Sequence, residues 1–291
     1  MGNSKIINKT MDFNDLKDND LKKIISEINT LIINLRRQNL KISSWEGKFN
    51  LTGNLASTER ISRGYNYRAI DDSVDDINFP WFLYWEIAWV VLNNNFKAND
   101  LVLDLGGSSS LFSFYLASKG IEVTTVDLNK ELVDNANYVA RKTGWKLKNY
   151  VMDMRKMIFN MKFDHVTSIC VYEHIPYNDR MIINRKIKDL LIDGGHFSIT
   201  FDYANPSKFA RIGSPQDVYE QFIATSGLKL RGNSNFFDNG IRYLLHPFYY
   251  NKRLWRFKLS SIKNGDFSPW EIFRVKKSND YTFGALFLEK Q

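Results

Sequence analysis

Three aspartates close three short apolar runs: Asp104 after Leu101–Leu103, Asp127 after Ile121–Val126, and Asp153 after Lys146–Met152. A carboxylate at the carboxyl end of a buried strand can accept two hydrogen bonds at once, which suits the paired hydroxyls of a ribose. Asp127 is the acid expected to do this. Each aspartate also precedes a helix-forming stretch, where an N-cap is the plain alternative. Three in succession exceed what capping alone explains. Asp104 opens Asp104-Leu105-Gly106-Gly107-Ser108-Ser109-Ser110, where glycine lets the backbone turn sharply and approach a ligand closely. A fourth run, Phe163–Tyr172, leads into Glu173-His174-Ile175-Pro176. His174, with a pKa near neutrality, is a candidate general base, or a residue that orients a bound ligand. Tyr172 is expected to position a substrate or to cover the ligand.

The elements that must hold these residues follow from periodicity. Strands are expected at 101–106, 121–127, 146–153, 163–172 and 196–202, with helices over 109–119, 130–142 and 178–191 between them. Such alternation implies an α/β fold with a mostly parallel sheet and helices on both faces. One more helix over 214–225 and a pair of strands at 228–231 and 281–289 bring the sheet to seven strands. Ahead of them, 12–40 reads as an amphipathic helix and 80–93 as an aromatic one opened by Pro80. Residues 1–97 thus form a helical extension or lid. Residues 98–231 with 281–291 form the main domain, and 232–280 is an insertion between the last two strands.

Asp104 to Ser110 resembles motif I, Asp-x-Gly-x-Gly, of the class I S-adenosylmethionine-dependent methyltransferases, with Ser108 and Ser110 as departures. A dinucleotide dehydrogenase would show Gly-x-Gly-x-x-Gly instead. Glu173-His174-Ile175 resembles the Glu-His-(Ile/Val) segment of the family's small-molecule members. The likeness covers about 98–205 well and 206–231 with 281–289 loosely. It implies a Rossmann-like fold and S-adenosylmethionine as cofactor, leaving S-adenosylhomocysteine. It implies cofactor contacts at Asp104, Gly106, Gly107, Ser108 and Val171, with Asp127 on the ribose. It further implies Asp153 at the adenine amino group and Leu128 and Met154 on either side of the adenine ring. Arg63, near Tyr65 and Tyr67, would pair with the cofactor carboxylate, and His174 and Tyr172 would serve the acceptor. A related group holds a divalent cation with Glu-x-x-Glu-His. Cys170 replaces the first Glu here, so the metal pattern is incomplete and no metal ligand is assigned. Cys170 follows no proline and falls inside a strand run, so it reads as a buried, inert thiol.

Composition sets the outer limits. The 291 residues suit one large domain with a cap, and the single cysteine excludes a disulfide framework. MGNSKIINKT has no apolar signal core, and the stretch 81–92 is too short to span a bilayer, which points to a cytoplasmic protein without a membrane partner. The net charge of +8 admits an anionic ligand, and an RNA methyltransferase is the first rival. A non-catalytic interaction module is the second, although it would have no need of acids at three strand ends. The favoured reading is methyl transfer to an O or N of a small or medium-sized metabolite, a sugar-containing one among the options. Residues 232–280 carry eleven aromatics and five net positive charges, so they are expected to cap the acceptor or to form a homodimer interface.

Overall fold

The computed structural model describes residues 6–44, 49, 79–205, 211–244 and 280–291. Asp18 opens α1 (Asn19–Arg37) by accepting hydrogen bonds from the backbone N–H groups of Asp20 and Leu21. Leu21, Ile25, Ile28, Ile32 and Leu35 form its buried stripe, and Arg36 and Arg37 oppose the negative end of the dipole. The expected single helix over 12–40 is broken at Asp18. A 3₁₀ turn, Phe13–Lys17, precedes it with its own capping box from Asp12 and Asp15. Next comes α2 (Trp81–Asn94), whose residues Trp81 to Val90 are all buried, so it is an internal helix packed on α1 and on the sheet. Pro80 is its N-cap rather than part of its first turn.

The sheet follows from Leu101 onward: β2 (Leu101–Leu105), α3 (Leu111–Ser118), β3 (Glu122–Asp127), α4 (Lys130–Thr143), β4 (Leu147–Val151), β5 (Phe163–Ile169), α5 (Tyr177–Leu190) and β6 (Leu191–Tyr203). A helical run, α6, is made of Pro215–Val218, a π turn Tyr219–Ile223 and Ala224–Ser226. It leads to β7 (Lys229–Leu230), β8 (Tyr243–Leu244) and β9 (Asp280–Glu289). The spatial order is β1-β9-β6-β5-β2-β3-β4, where β1 is Lys9–Thr10, and β7 and β8 also pair with β9. The pairs β2–β3, β3–β4, β2–β5 and β5–β6 are parallel, whereas β9 runs antiparallel to its partners. All seven expected strands are present. The additions β1 and β8 have two residues each and carry no alternation that a sequence reading could detect.

The strands alternate between two apolar clusters. Val102, Val123, Phe283 and Phe287 face α1, α2, α3 and α4, while Leu103, Val126, Val166 and Phe197 face α5 and α6. Ile7, Met11 and Leu16 belong to the first cluster, so residues on both sides of the 97/98 boundary share one core. Part of the insertion is also built in. Phe236 packs 5.4 Å from Tyr203 and Tyr243 packs 5.2 Å from Trp81 (ring centroids), while 245–279 lie outside the described residues.

Two strand limits differ from expectation. Asp193-Gly194-Gly195 sits inside β6, where Gly194 at φ +77° and the register shift between Phe163 and His165 mark a bulge rather than a helix stop. At its far end β5 stops at Ile169, because Cys170 adopts a left-handed φ of +56°. Cys170 is therefore a loop residue, not a strand residue. Among the described residues no helix is long and apolar enough to cross a membrane.

Candidate functional site

Strand order reverses between β2 and β5, and ligands of open α/β sheets bind beyond the carboxyl ends of the strands at that point. There the chain turns through Gly106 at φ +76°. A Cβ on Gly106 would lie 2.8 Å from the Val171 side chain and 3.2 Å from Met154 Cε, so these three residues meet with no room for a methyl group. Beneath the loop, the buried Asp104 carboxylate accepts from Ser113 Oγ at 2.6 Å and from Thr167 Oγ1 at 2.9 Å. Burial pushes its pKa up to about 7, against the pull of those hydroxyls. Both Asp104 oxygens are thus engaged inside the protein, and the residue supports the loop from below.

The serines that depart from the motif fasten the loop. Ser108 Oγ lies 2.6 Å from Thr125 Oγ1, and Ser109 Oγ donates to the Leu132 carbonyl at 2.6 Å while accepting from Asn135 Nδ2 at 2.9 Å. Ser110 caps α3 by accepting from Ser113 N–H. Ser43 donates from both its backbone N–H (2.9 Å) and its hydroxyl (3.1 Å) to the Ser109 carbonyl. Asn135 Nδ2 also donates to the Lys41 carbonyl at 2.9 Å. The amino-terminal segment is therefore tied to the glycine loop just before Arg63, Tyr65 and Tyr67, which lie outside the described residues.

Asp127 ends β3 beside this loop. Partial burial raises its pKa, while the N–H groups of Asn129 (2.8 Å), Leu128 and Ser108 favour the carboxylate. Leu128 next to it is 71% exposed, a large apolar side chain open at the mouth of the crevice. Asp153 follows the capping alternative. It accepts from Arg155 N–H at 2.9 Å and is held by the Arg155 guanidinium at 2.6 Å, which lowers its pKa to about 2.

After β5 the two acceptor candidates part ways. Tyr172 is fully buried between Phe197 and Phe222, with ring centroids 5.9 and 5.7 Å away, and its hydroxyl has no hydrogen-bond partner. Its side chain is wholly enclosed in the core, which departs from the expected role at a substrate: the 3₁₀ turn Tyr172–His174 buries Tyr172 and Glu173 and exposes only His174. The His174 side chain is 61% exposed on that turn, with Nε2 3.9 Å from Glu173 Oε1. His165 and His196 lie at the other end of the sheet, around a cleft of about 280 Å³ lined also by Asp100 and Arg231.

The fold also gathers residues that no motif linked. Cys170, Glu173 and Asp202 place ligand-type atoms within 4.8 Å of one another. Cys170 Sγ donates to Glu173 Oε1 at 3.1 Å, and Asn205 holds Asp202 at 2.7 Å. Glu86, from the middle of α2, is wholly buried alongside them, and neither of its oxygens has a hydrogen-bond partner. Its pKa lies well above the ordinary carboxylate range, first through burial and then through the charge of Glu173. The only sequence signal for Glu86 is that it is a lone acid in an otherwise apolar helix.

A family model described as a methyltransferase domain matches residues 103–199. The ubiquinone biosynthesis O-methyltransferase of Xanthomonas euvesicatoria pv. vesicatoria (strain 85-10) is 32% identical over 111 residues, 38% of this chain and 46% of that protein. The protein of the same name from Xanthomonas campestris pv. campestris (strain B100) is 31% identical over the same length. The chain spans about half the length of the curated relatives it matches. Among solved structures, the [4+2]-cyclase SpnF aligns with a TM-score of 0.51 at 15% identity, covering 70% of this chain and 80% of that one. That likeness shows the fold. The glycine loop at the switch point thus lies within the part of the chain, residues 103–199, that matches the methyltransferase domain model.

Proposed function

We propose that the chain binds S-adenosylmethionine across the ends of β2, β3 and β5 and transfers its methyl group to an oxygen or nitrogen of a small or medium-sized metabolite. The observation that carries this reading is the pairing of a Cβ-free loop at Gly106-Gly107 with the Asp127 carboxylate at the next strand end. The residues present fit the cofactor. Asp127 would accept from both ribose hydroxyls, and Leu128, exposed as it stands, would lie against the adenine with Met154 opposite. Gly106 and Val171 would border the methionine portion, and Arg63 stays the residue proposed for the cofactor carboxylate. Bound there, the cofactor supplies a methyl group on a positively charged sulfur. The acceptor lone pair forms the new bond to that carbon while the carbon–sulfur pair returns to sulfur.

For a hydroxyl acceptor a proton must also leave. His174, exposed on the turn after β5, would take it, whereas buried Tyr172 takes no part. The acceptor class is supported by the relatives named ubiquinone biosynthesis O-methyltransferase, whose likeness covers 38% of this chain. Calorimetry with S-adenosylhomocysteine tests the binding step, and labelled cofactor offered with metabolite extracts tests the transfer. A chain that binds a nicotinamide dinucleotide in its place would end this reading.

A further inference from the structure

We infer that Thr125 and Asn149 are positioning residues for the cofactor ribose: acting through Ser108, they set where the Asp127 carboxylate points. The inference rests on S-adenosylmethionine as the cofactor and on Asp127 as its ribose ligand.

Its origin is a row of buried polar side chains across the sheet. Register pairs Ser198 on β6 with Thr167 on β5, and Thr167 with Asp104 on β2. Asp104 in turn pairs with Thr125 on β3, and Thr125 with Asn149 on β4. In-register neighbours of a parallel sheet share a face, so these five side chains lie side by side. All five are buried. Two residues earlier along the same face, β2, β3 and β4 carry Val102, Val123 and Leu147, all in the apolar core. Valine at 125 would fill nearly the same space as threonine, so packing does not require a hydroxyl there. A buried polar group must find a partner, and at 125 the partners lead to the glycine loop.

The bonds run in one direction. Asn149 Nδ2 donates to Asn137 Oδ1 on α4 at 3.0 Å, and Asn137 Nδ2 donates back to the Asn149 carbonyl at 3.4 Å. Thr125 Oγ1 donates to Asn149 Oδ1 at 2.7 Å. With its proton committed there, Thr125 Oγ1 accepts from Ser108 Oγ, 2.6 Å away. The Ser108 side chain is therefore fastened to β3, while its backbone N–H donates to the Asp127 carboxylate. The N–H groups of Leu128 and Asn129 hold the same carboxylate from its own turn, whereas Ser108 holds it from the glycine loop.

In motif I, which this segment resembles, position 108 is glycine and has no side chain to fasten. Here Thr125 and Asn149 anchor the serine that stands in its place, and α4 anchors them. Members of such a buried chain polarise and orient one another, so cutting one link loosens the rest. Thr125 is fully enclosed and reaches no ligand itself. Without its hydroxyl, Ser108 is free to shift, and Asp127 loses the orientation that lets it accept from both ribose hydroxyls.

Calorimetry of S-adenosylhomocysteine binding to the full-length protein tests this, with circular dichroism to check that each variant folds. Thr125→Val should weaken binding by about fivefold or more, and Thr125→Ser, which keeps the hydroxyl, should stay within about twofold of wild type. In an Asp127→Ala background Thr125→Val should cost less than about twofold, because the carboxylate it positions is gone. Thr124→Val, on the same strand but facing the other apolar cluster beside Leu103, should leave binding unchanged. A folded Thr125→Val that binds like the wild type overturns the inference and leaves the cofactor reading intact. So does a loss that persists undiminished in the Asp127→Ala background, or an equal loss in Thr124→Val, since either marks a general loosening of β3. A wild type that binds no S-adenosylhomocysteine overturns the cofactor reading and this inference with it. If Thr125→Val does not fold, Ser108→Ala cuts the same hydrogen bond from the loop side, and its own cycle with Asp127→Ala decides by the same criteria.

Discussion

Asp104 occupies the space that a side chain on residue 107 would need: an ideal Cβ there would lie 1.7 Å from Asp104 Oδ2. The glycine is thus required by the acid, and the acid, through Ser113 and Thr167, holds the loop to α3 and β5. Gly107→Ala should push the loop off Asp104 and destabilise the protein by about 1–3 kcal/mol, as overpacking commonly does. Calorimetry should show S-adenosylhomocysteine binding lost or reduced at least about tenfold. Unchanged affinity in this variant would mean that the loop does not hold the cofactor.

Asp104 also predicts a pH dependence. Burial raises its pKa in the folded protein to about 7, above the ordinary value of 3.8. The folded state therefore holds this proton more tightly than the unfolded chain does. Between about pH 4 and pH 7 the unfolded chain loses the proton first, so stability falls as pH rises through that window, and no further change from this group follows above it. Asp104→Asn removes the titration and keeps an acceptor for Ser113 or Thr167. Urea unfolding of the two proteins from pH 4.5 to 8 should show the variant gaining on the wild type as pH rises. A constant difference across the range would assign Asp104 an ordinary pKa.

Asp127 and Leu128 test the cofactor site without touching the core. Hydrogen bonds to a charged group contribute about 1.5–3 kcal/mol, so Asp127→Ala should weaken S-adenosylmethionine binding at least about tenfold. Leu128→Ser should lower affinity several-fold through lost contact with the adenine. Because Leu128 is 71% exposed, its stability change should stay within about 0.5 kcal/mol. An affinity unaltered in both folded variants would move the ribose and adenine elsewhere.

Tyr172 and His174 are two residues apart and should behave oppositely. Tyr172→Phe removes a buried hydroxyl that lacks a partner, so stability should rise by about 1 kcal/mol with turnover unchanged. His174→Ala should lower turnover by about 10²–10⁴ with cofactor affinity nearly constant. A drop in affinity with turnover at saturation intact would make His174 a cofactor residue and put the base on another group.

The chain by itself determined much of this architecture. Short apolar runs and the helical stretches between them pointed to seven strands in the right order along the chain, because each run is written locally. The strand end at Asp127 and the turn through Gly106 after β2 were legible for the same reason: strand ends and tight turns are short-range features. What periodicity could not reveal was which side chains point outward and what meets across the fold. Tyr172 and His174 stand two residues apart, yet a 3₁₀ turn buries one and exposes the other. Asp153 stood in series with Asp104 and Asp127, yet the neighbouring Arg155 claims its carboxylate. Glu86, Cys170 and Asp202 lie more than thirty residues apart in sequence, and the pairing of β5 with β6 and the packing of α2 on β6 bring them near one another. The tie from Ser43 to Ser109 is a contact of the same kind, fixed by packing across the fold and by no motif in the chain.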